Sequence, residues 1–388
     1  MKLADRMSLL AAEGAYAVLS RAQELERRGK SIIHFEIGQP DFATPVHITN
    51  SGIAALRAGK TKYTSPLGIV ELRDVIARFI TKTHGIETTR GQVAVTPSGK
   101  TAIFAAFAAT ISPGDEVMYP DPGFPTYRTL IDFFGGIAVP VPLVAANHFS
   151  FDMSVFRKRF SKRTRVVVLN SPSNPTGGVI PKSDIEEIAS MVKHTDAWVV
   201  TDEMYSRMLY GSVPYASIYS LPKMKRQTII VDGFSKTYAM TGWRLGYMVV
   251  PDTMIDRIDY LLTHLVGCTA SFVQEAGIAA LTGSQRASKR MVGEFHERRD
   301  IIVRKLNRIS GIRCQVPDGA FYVFPDVSSF GMTSEKFASY VLSKAGVAVL
   351  PGTAFGNNGQ GYIRISYAAK VRDIEEGVNR ISRALSYL

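Results

Sequence analysis

Cysteine is scarce in this sequence, since only Cys268 and Cys314 occur among its 388 residues. Two cysteines so far apart provide neither a disulfide framework nor the CxxC pair of a zinc site. The seven histidines also lack the HxxxH spacing that is typical of metal ligands on a helix. The sequence therefore predicts no structural disulfide and no metal site.

Long apolar runs are also missing. The longest one, AIFAAFAATI at 102–111, is too short to cross a bilayer and is rich in alanine, so it predicts a buried helix. The first residues, MKLADRMSLL, do not have the pattern of a secretory signal. No low-complexity block and no repeat of fixed period is present. We expect a cytoplasmic protein that does not contact membranes.

Charge is abundant but is not concentrated in one segment. The chain has 46 Lys and Arg against 34 Asp and Glu, which is a net charge of +12, and its basic clusters, such as RKRFSKRTR at 157–165, are short. Scattered basic residues argue against nucleic-acid binding. A positive field does, however, favour small anionic substrates.

From about residue 68 onward, helical patterns alternate with short runs that are apolar throughout. These strand-like runs are QVAVT (92–96), DEVMYP (115–120), RVVVLN (165–170), AWVVTD (197–202) and TIIVDG (228–233). Buried strands separated by helices predict an α/β fold, in which helices sandwich a mostly parallel central sheet. Such sheets bind ligands beyond the carboxyl ends of their strands.

The pattern changes towards the C-terminus, where a long charged helix (286–309) precedes a predicted hairpin or strand pair in GIRCQVPDGAFYVFPDV. We predict a large domain over 45–285 and a smaller, discontinuous α+β domain. The smaller domain would combine 1–44, including an N-terminal helix (12–29) and the segment IIHFEIGQPDF, with 286–388.

Polar residues follow two of the predicted strands directly. Asp202 comes after four apolar β-formers, so its carboxylate would be poorly solvated unless it pairs with a buried cation or caps a helix. Tyr205, three residues on, would lie on the same side of a helical turn. The segment NSPSNPTGG (170–178) follows another strand, and by itself it is equally typical of an ordinary turn.

Lys236 follows a third strand, within DGFSKTYAMTGWRLGY (232–247). Ser235 precedes it and Arg244 comes eight residues later, and a hydroxyl group with an arginine fork suits a phosphate. A lysine that is desolvated in this way loses its proton readily and can form a Schiff base with an aldehyde. By residue type alone, a lysine in a surface loop is the more common case.

A fourth candidate is TPSGKTAIF (96–104), which joins a strand to a helix. The start of a helix offers backbone N–H groups to an anion. The letters GKT end the Walker A pattern, but that pattern requires glycine where this sequence has Ala94. A P-loop is therefore excluded, whereas phosphate binding at the helix start is retained.

Two anion-binding devices, a lysine, a carboxylate and a tyrosine thus gather at one edge of the predicted sheet. A phosphorylated aldehyde cofactor with a pyridine ring would use each of them. Their coincidence is the strongest functional signal that the residues provide.

The sequence resembles the class I and II aminotransferases, which are pyridoxal 5'-phosphate enzymes of fold type I, over essentially its whole length. The matching motifs are IGQPDF, KYTSPLG, SGKTA, DPGFPTY, NSPSNPTG, the Asp202–Tyr205 pair, SKTYAMTGWRLG and YIRISYA. The resemblance implies an enzyme that moves an amino group from an L-amino acid to a 2-oxo acid, with 2-oxoglutarate as the expected acceptor and ping-pong kinetics.

The resemblance also implies a role for each matching residue. Lys236 would form the Schiff base with pyridoxal 5'-phosphate and act as general base, and Asp202 would keep the pyridine nitrogen protonated. Asn174 and Tyr205 would hydrogen-bond the phenolic oxygen. The phosphate would be held by Ser98, Gly99 and Lys100, mainly through their backbone N–H groups, and by Ser235 and Arg244.

Three further roles follow from the same resemblance. Phe124 would stack on the cofactor ring. Arg364 would bind the substrate carboxylate bidentately, with help from the Gly38 backbone and Asn174. Tyr63 would reach the phosphate of the neighbouring subunit, which implies a homodimer.

The donor amino acid and the reaction type leave alternatives open. Lys100 resembles a lysine that some prokaryotic aspartate aminotransferases use for the distal carboxylate, which favours aspartate or glutamate. EGAYAV (13–18) lacks the Ser/Thr pair often found beside that lysine, and Tyr16 could favour aromatic or apolar donors, so broad specificity is possible. A pyridoxal-phosphate lyase on the same fold is one alternative reaction. An amino-acid-sensing regulator is another alternative, but the short N-terminal segment leaves no room for a DNA-binding domain.

Overall fold

The structure, a computed structural model, describes residues 3–10 and 14–388. The helices are α1 (Gly14–Arg27), α2 (Val46–Arg57), α3 (Val70–His84), α4 (Gly99–Thr110), α5 (Thr126–Phe133), α6 (Met153–Arg159), α7 (Lys182–Val192), α8 (Ile255–Leu265), α9 (Ser271–Thr282), α10 (Arg286–Leu306), α11 (Ser334–Tyr340) and α12 (Val371–Leu385). The strands are β1 (Ile33–His34), β2 (Val93–Thr96), β3 (Glu116–Asp121), β4 (Ile137–Val144), β5 (Ser150–Phe151), β6 (Thr164–Asn170), β7 (Trp198–Asp202), β8 (Thr228–Gly233), β9 (Gly246–Val249), β10 (Tyr322–Val323), β11 (Val347–Ala348), β12 (Leu350–Pro351) and β13 (Ile363–Ser366).

The predicted strands and helices are present, with small shifts at their ends. The strand-like runs form β2, β3, β6, β7 and β8, and the alanine-rich run lies in α4, most of whose side chains are buried. The predicted N-terminal helix (12–29) extends over Gly14–Arg27, and its positions 12 and 13 lie outside the described residues. Across the described ranges, every helix is too short or too polar to cross a lipid bilayer.

Within the described part of the chain, eight strands form one sheet in the order β2-β9-β8-β7-β6-β3-β4-β5. The strands β8, β7, β6, β3 and β4 run parallel to one another, whereas β9 and β5 run antiparallel to their neighbours. Because β2 pairs antiparallel with β9, it points the same way as the parallel strands. The predicted mostly parallel α/β sheet is confirmed, and its carboxyl ends share one edge.

The sheet is buried on both faces, which explains why its strands are apolar throughout. Val200, Ile229 and Val231 contribute to the core layer that contains α4, whereas Ile230 contributes to the layer that contains α3 and α9. These side chains are fully buried. Each stabilises the fold by about 1.5–3 kcal/mol relative to exposure.

The first and last parts of the chain meet in a second group of elements. β1 pairs in parallel with β11, and β10, β13 and β12 form a small antiparallel sheet. α10 and α12 pack together, and their apolar sides share one core that includes Phe295, Ile302, Ile374 and Ile381.

The predicted hairpin at 311–327 is wrong. Arg313 and Asp326 form a single bridge, and Tyr322–Val323 pairs with β13 instead. The backbone N–H groups between these points find other acceptors, because those of Asp318 and Gly319 donate to Gly177, in a loop beyond β6. Contacts distant in sequence therefore replace the local pairing.

Candidate active site

The carboxyl ends of β2, β6, β7 and β8 border one cavity of about 650 Å³. Of the sequence-predicted site residues, all except Tyr63 line it, namely Gly38, Ser98, Gly99, Lys100, Phe124, Asn174, Asp202, Tyr205, Ser235, Lys236, Arg244 and Arg364. Tyr63 is 95% exposed and lies on the surface of the chain. Tyr16, the candidate specificity residue, also lines the cavity.

One wall of the cavity is formed by the start of α4. Ser98 is its N-cap, and its Oγ accepts a hydrogen bond from the backbone N–H of Thr101 at 3.2 Å. The helix start can approach β9 because Gly246 has no side chain. A Cβ at Gly246 would lie 2.6 Å from Ser98 C and 2.7 Å from Gly99 N.

Ser235 and Arg244 line the same cavity. Arg244 has left-handed backbone angles, φ 58° and ψ 61°, which cost a non-glycine residue about 1–2 kcal/mol. Its Nη1 donates to the Thr241 carbonyl at 2.7 Å. A hydroxyl, a guanidinium and a helix N-terminus are together a donor set that suits a phosphate.

Asp202 ends β7 with its carboxylate almost completely buried. Its Oδ2 accepts a hydrogen bond from the Tyr127 hydroxyl at 2.6 Å, and its Oδ1 accepts one from the Met204 backbone at 3.1 Å. Burial raises the pKa of Asp202 to about 6, although both hydrogen bonds oppose the rise. Residues 204–207 form a turn rather than a helix, so Asp202 does not cap a helix. A carboxylate in this setting is suited to a cationic partner.

Tyr205 lies three residues beyond Asp202, on the same cavity wall as predicted. Its hydroxyl is 2.7 Å from the hydroxyl of Tyr322. Burial raises the pKa of Tyr205 well above its ordinary value, with a further rise from the contact with Tyr322. The phenol is therefore neutral at working pH and can donate a hydrogen bond.

The side chain of Lys236 reaches across the cavity. Its Nζ donates to the Gly38 carbonyl at 2.5 Å and lies 5.8 Å from the centroid of the Phe321 ring. Arg207 stabilises the turn that carries Lys236 through hydrogen bonds. The Arg207 guanidinium donates to Asp232 Oδ2 at 2.9 Å and to the Gly233 carbonyl at 3.2 Å.

Arg364 lies on β13 and is only 4% exposed. One of its nitrogens donates to Asn174 Oδ1 at 3.3 Å, and another donates to the Glu36 carbonyl. The guanidinium carbon lies 4.6 Å from the Tyr322 ring centroid and 5.0 Å from that of Phe355. Two rings and two acceptors therefore define the plane of the group, which suits bidentate binding of a carboxylate.

Sequence reasoning missed three residues that shape the site. Tyr127 is the last residue of the motif DPGFPTY, and this motif could have identified it as a site residue. Arg207 lies two residues beyond Tyr205, but its partner Asp232 is distant in sequence. No sequence pattern identified Tyr322 as a site residue, because the residues around it have the pattern of an ordinary hairpin.

The residues present fit pyridoxal 5'-phosphate. The donor set at α4, Ser235 and Arg244 suits the phosphate, and the buried Asp202 carboxylate suits a protonated pyridine nitrogen. Lys236 reaches the same cavity as both, so an aldehyde bound there would meet an amine.

Comparison with known proteins agrees with this geometry. The family model "Aminotransferase class I and II" matches residues 30–381. An aspartate aminotransferase of Pyrococcus horikoshii is 39% identical over 99% of this chain and 97% of the relative. An aromatic-amino-acid aminotransferase of Thermococcus litoralis is 35% identical over 99% of this chain and 98% of the relative.

A solved structure leads to the same family. The aspartate aminotransferase of Thermus thermophilus with maleate superposes with a TM-score of 0.93 at 34% identity, covering 99% of this chain and 100% of that one. The chain therefore belongs to the class I and II aminotransferases, enzymes that depend on pyridoxal 5'-phosphate.

Proposed function

We propose that this aminotransferase moves the amino group of aspartate to 2-oxoglutarate and that it also accepts aromatic amino acids as donors. The observation that carries the proposal is a single cavity lined by Lys236, Asp202 and Arg364. An amine, a carboxylate and a guanidinium in one cavity supply a nucleophile, a partner for a protonated ring nitrogen and a carboxylate clamp.

Pyridoxal 5'-phosphate, when bound, supplies an aldehyde carbon that bonds to amines and a pyridine ring that takes up electrons. Lys236 has two tasks in our proposal. Its Nζ would hold the cofactor through the aldehyde carbon between turnovers. As a released amine, Nζ removes the proton from the substrate Cα.

The buried polar groups act on the ring. Asp202 holds the proton on the pyridine nitrogen, and this cation in turn favours the ionised carboxylate and lowers its pKa from about 6. Tyr205 and Asn174 donate hydrogen bonds to the phenolic oxygen. Phe124 covers one face of the ring. The phosphate is held by the backbone N–H groups of Ser98, Gly99 and Lys100 and by the side chains of Ser235 and Arg244.

Three residues select the substrate. Arg364 binds the α-carboxylate through its fork, beside the Gly38 backbone and Asn174. Lys100, whose Nζ lies 5.3 Å from the centroid of the Phe124 ring, offers a positive charge to the distal carboxylate of aspartate. Tyr16 lines the same cavity and is 62% exposed, so it can pack on an aromatic donor.

The active unit in this proposal is a homodimer, in which Tyr63 donates its hydroxyl to the phosphate bound by the partner subunit. Its 95% exposure on a single chain supports this role. We also propose a division into a large domain (45–285) and a smaller one (1–44 with 286–388), which the pairing of β1 with β11 supports. Two free cysteines support a cytoplasmic location.

Reduction with borohydride tests the role of Lys236. Peptide mapping of cofactor-loaded protein after reduction is expected to give a pyridoxyl group on Lys236. A pyridoxyl group on another lysine, or normal turnover by Lys236→Ala, would contradict the assignment.

A half-reaction screen tests the reaction type and the donor. Aspartate, glutamate, phenylalanine and tyrosine are mixed singly with loaded enzyme, and we expect one 2-oxo acid per aminated cofactor. A lyase would release product without aminating the cofactor. Lys100→Ala is expected to slow the aspartate half-reaction by about tenfold or more and to leave phenylalanine little changed, because it removes one charge–charge contact.

A further inference from the structure

Tyr322 touches three parts of the proposed site that are distant from one another in sequence. Its hydroxyl is 2.7 Å from the Tyr205 hydroxyl, and the two rings meet edge to face with centroids 5.7 Å apart. Tyr322 is only 1% exposed, yet it contributes to the cavity wall. A buried phenol pair at this distance is a strong, well-oriented hydrogen bond.

The second contact is with the carboxylate clamp. The Arg364 guanidinium lies 4.6 Å from the centre of the Tyr322 ring. A cation over a buried aromatic face is attracted to it. The ring therefore limits the directions in which Arg364 can present its fork.

The third contact is with Gly38. A Cβ at this position would lie 2.1 Å from the Tyr322 hydroxyl, so the backbone of Gly38 packs directly against that oxygen. The Gly38 carbonyl also accepts the hydrogen bond from Lys236 Nζ. The Tyr322 hydroxyl thus lies between Tyr205 and the segment that contacts the lysine.

We propose that Tyr322 is a positioning residue whose ring orients Arg364 and whose hydroxyl donates to Tyr205, so that the Tyr205 O–H points to the cofactor. The inference rests on the proposed function, in which Tyr205 donates to the phenolic oxygen. A hydroxyl has one donor and two acceptor sites, so it can receive one bond while it makes another. Successive hydrogen bonds polarise one another, which makes Tyr205 a stronger donor.

The hydroxyl is tested through the visible absorption band of cofactor-loaded protein, titrated against pH. A weaker hydrogen bond from Tyr205 to the phenolic oxygen of the cofactor destabilises the anion of that oxygen. Tyr322→Phe is therefore expected to raise the midpoint of this pH titration by about 0.5 pH unit. Tyr205→Phe raises it further. The double variant is expected to match Tyr205→Phe alone, because Tyr322 acts through Tyr205.

Tyr367→Phe is the matched control. The Tyr367 hydroxyl is also buried and lies 3.2 Å from both the Tyr210 hydroxyl and the Ala320 carbonyl, away from the cavity, and its one proton is shared between these two acceptors. Tyr367→Phe, like Tyr322→Phe, removes one phenolic oxygen from the hydrophobic core that contains both tyrosines. The midpoint of the visible band is expected to stay at the wild-type value.

The ring is tested separately by Tyr322→Leu. This variant loses both contacts, so it is expected to raise the midpoint as Tyr322→Phe does and also to raise KM for aspartate by about three- to tenfold. Tyr322→Phe keeps the ring and is expected to keep KM within about twofold. Should Tyr322→Leu fail to fold, Tyr322→Phe still tests the hydroxyl through the midpoint of the visible band.

Two results would overturn the proposal. In the first, the Tyr322 variants shift the pH midpoint of the visible band no more than Tyr367→Phe does. In the second, the midpoint shifts of Tyr322→Phe and Tyr205→Phe add together in the double variant. Wild-type protein that forms no visible band, or that makes no 2-oxo acid, would instead refute the proposed function together with this inference.

Discussion

Individual side chains in the cavity owe their chemistry to their neighbours. Asp202 is an ordinary carboxylic acid whose burial disfavours its charge, and the hydrogen bonds from Tyr127 and Met204 counter that effect. Tyr127 is itself fully buried, and burial raises its pKa well above the ordinary value, so it is a permanent donor. The ionisation of Asp202 therefore depends on a residue outside the cavity wall.

Tyr127→Phe tests this dependence. The bond from Tyr127 lowers the pKa of Asp202, so its loss raises that pKa, and the ionised form then disappears at a higher pH as the solution is acidified. We expect the acid limb of the kcat profile to move up by about 1 pH unit and kcat to fall about tenfold. Because the bound cofactor lowers the pKa of Asp202 below about 6, kinetics that extend down to about pH 4 measure both effects.

The control for this prediction is Tyr219→Phe. That buried hydroxyl pairs with the Thr88 hydroxyl at 2.9 Å, and neither residue lines the cavity. We expect its acid limb to match that of the wild type. An unshifted limb in Tyr127→Phe would show that Tyr127 does not set the charge of Asp202.

Whole elements decide where the proposed phosphate donors lie. The start of α4 rests on β9, and the contact is possible only because Gly246 lacks a side chain. The turn after β8 is held by Arg207, whose guanidinium lies between the rings of Phe79 and Tyr238 at 5.0 Å and 5.8 Å. Both features determine where the backbone of the cavity wall lies, and neither contributes a reactive group.

Gly246→Ala is expected to weaken cofactor binding. Its Cβ would meet backbone atoms of Ser98 and Gly99, which cannot rotate away as a side chain would, so α4 must shift. We expect the Kd for pyridoxal 5'-phosphate to rise about tenfold or more, measured by fluorescence titration. Gly293→Ala in α10 meets no atom within 4 Å and is expected to keep the wild-type Kd.

Arg207→Gln is expected to loosen the turn that carries Lys236. It leaves Asp232 buried without its ion pair, which lowers the free energy of unfolding by about 3–5 kcal/mol. Urea denaturation measures this loss, and kcat should fall with it. Arg157→Gln, which breaks an exposed pair with Glu187, is expected to change stability by about 0.5 kcal/mol or less.

At the scale of the molecule, residues near the N-terminus join elements from the C-terminal part of the chain. His34, in β1, contacts Glu36 at 2.7 Å and Glu26 of α1 at 3.1 Å. The hydrogen bond to Glu36, followed by that to Glu26, raises the pKa of His34 to about 9, against partial burial. The imidazolium thus ties α1 to the strand that precedes Gly38.

This pair predicts a pH dependence of stability. The pKa of His34 is higher in the folded state than the ordinary 6.5, so its contribution is complete below pH 6.5 and is lost as the pH rises to about 9. We expect wild-type protein to lose about 1–2 kcal/mol more than His34→Gln over this range, after allowance for solvent screening. Urea unfolding measures the free energy of unfolding at each pH. If this free energy changed equally with pH in the wild type and in His34→Gln, the prediction would be contradicted.

The proposed dimer makes a prediction for the assembly. If Tyr63 donates across the interface, Tyr63→Phe should raise the Kd for pyridoxal 5'-phosphate by about five- to tenfold without changing the sedimentation coefficient. Tyr260→Phe, another exposed tyrosine (59%), is the control and should leave the Kd unchanged. A monomer in sedimentation that binds the cofactor normally would rule out the shared site.

Much of the fold and of the site was predictable because the signals are local. Strands such as β7 are apolar at every position because both faces of the sheet are buried, and this pattern needs no partner to be recognised. The residues after those strands share an edge for the same geometric reason. Ser98, Asp202 and Lys236 could therefore be assigned to one edge of the sheet from the pattern, whereas Phe124 and Arg364 were assigned only through the resemblance to the aminotransferases.

What failed or was missed depends on contacts between distant parts of the chain. The segment that contains Tyr322 has the pattern of a hairpin, yet its backbone pairs with β13 and with Gly177. Arg207 and Asp232 are 25 residues apart, and no periodicity links them.

The amino-acid sequence alone thus determined the α/β class and the parallel sheet and indicated candidate reactive groups at its edge, since alternation, strand burial and turn residues act over a few positions. Only the tertiary structure decided which neighbours tune those groups: the Tyr127 hydroxyl on Asp202, the Tyr322 phenol between Tyr205 and Arg364, and the Arg207 fork under the lysine turn. Hydrogen bonds and desolvation depend on distances of a few ångströms, and long-range packing alone sets those distances.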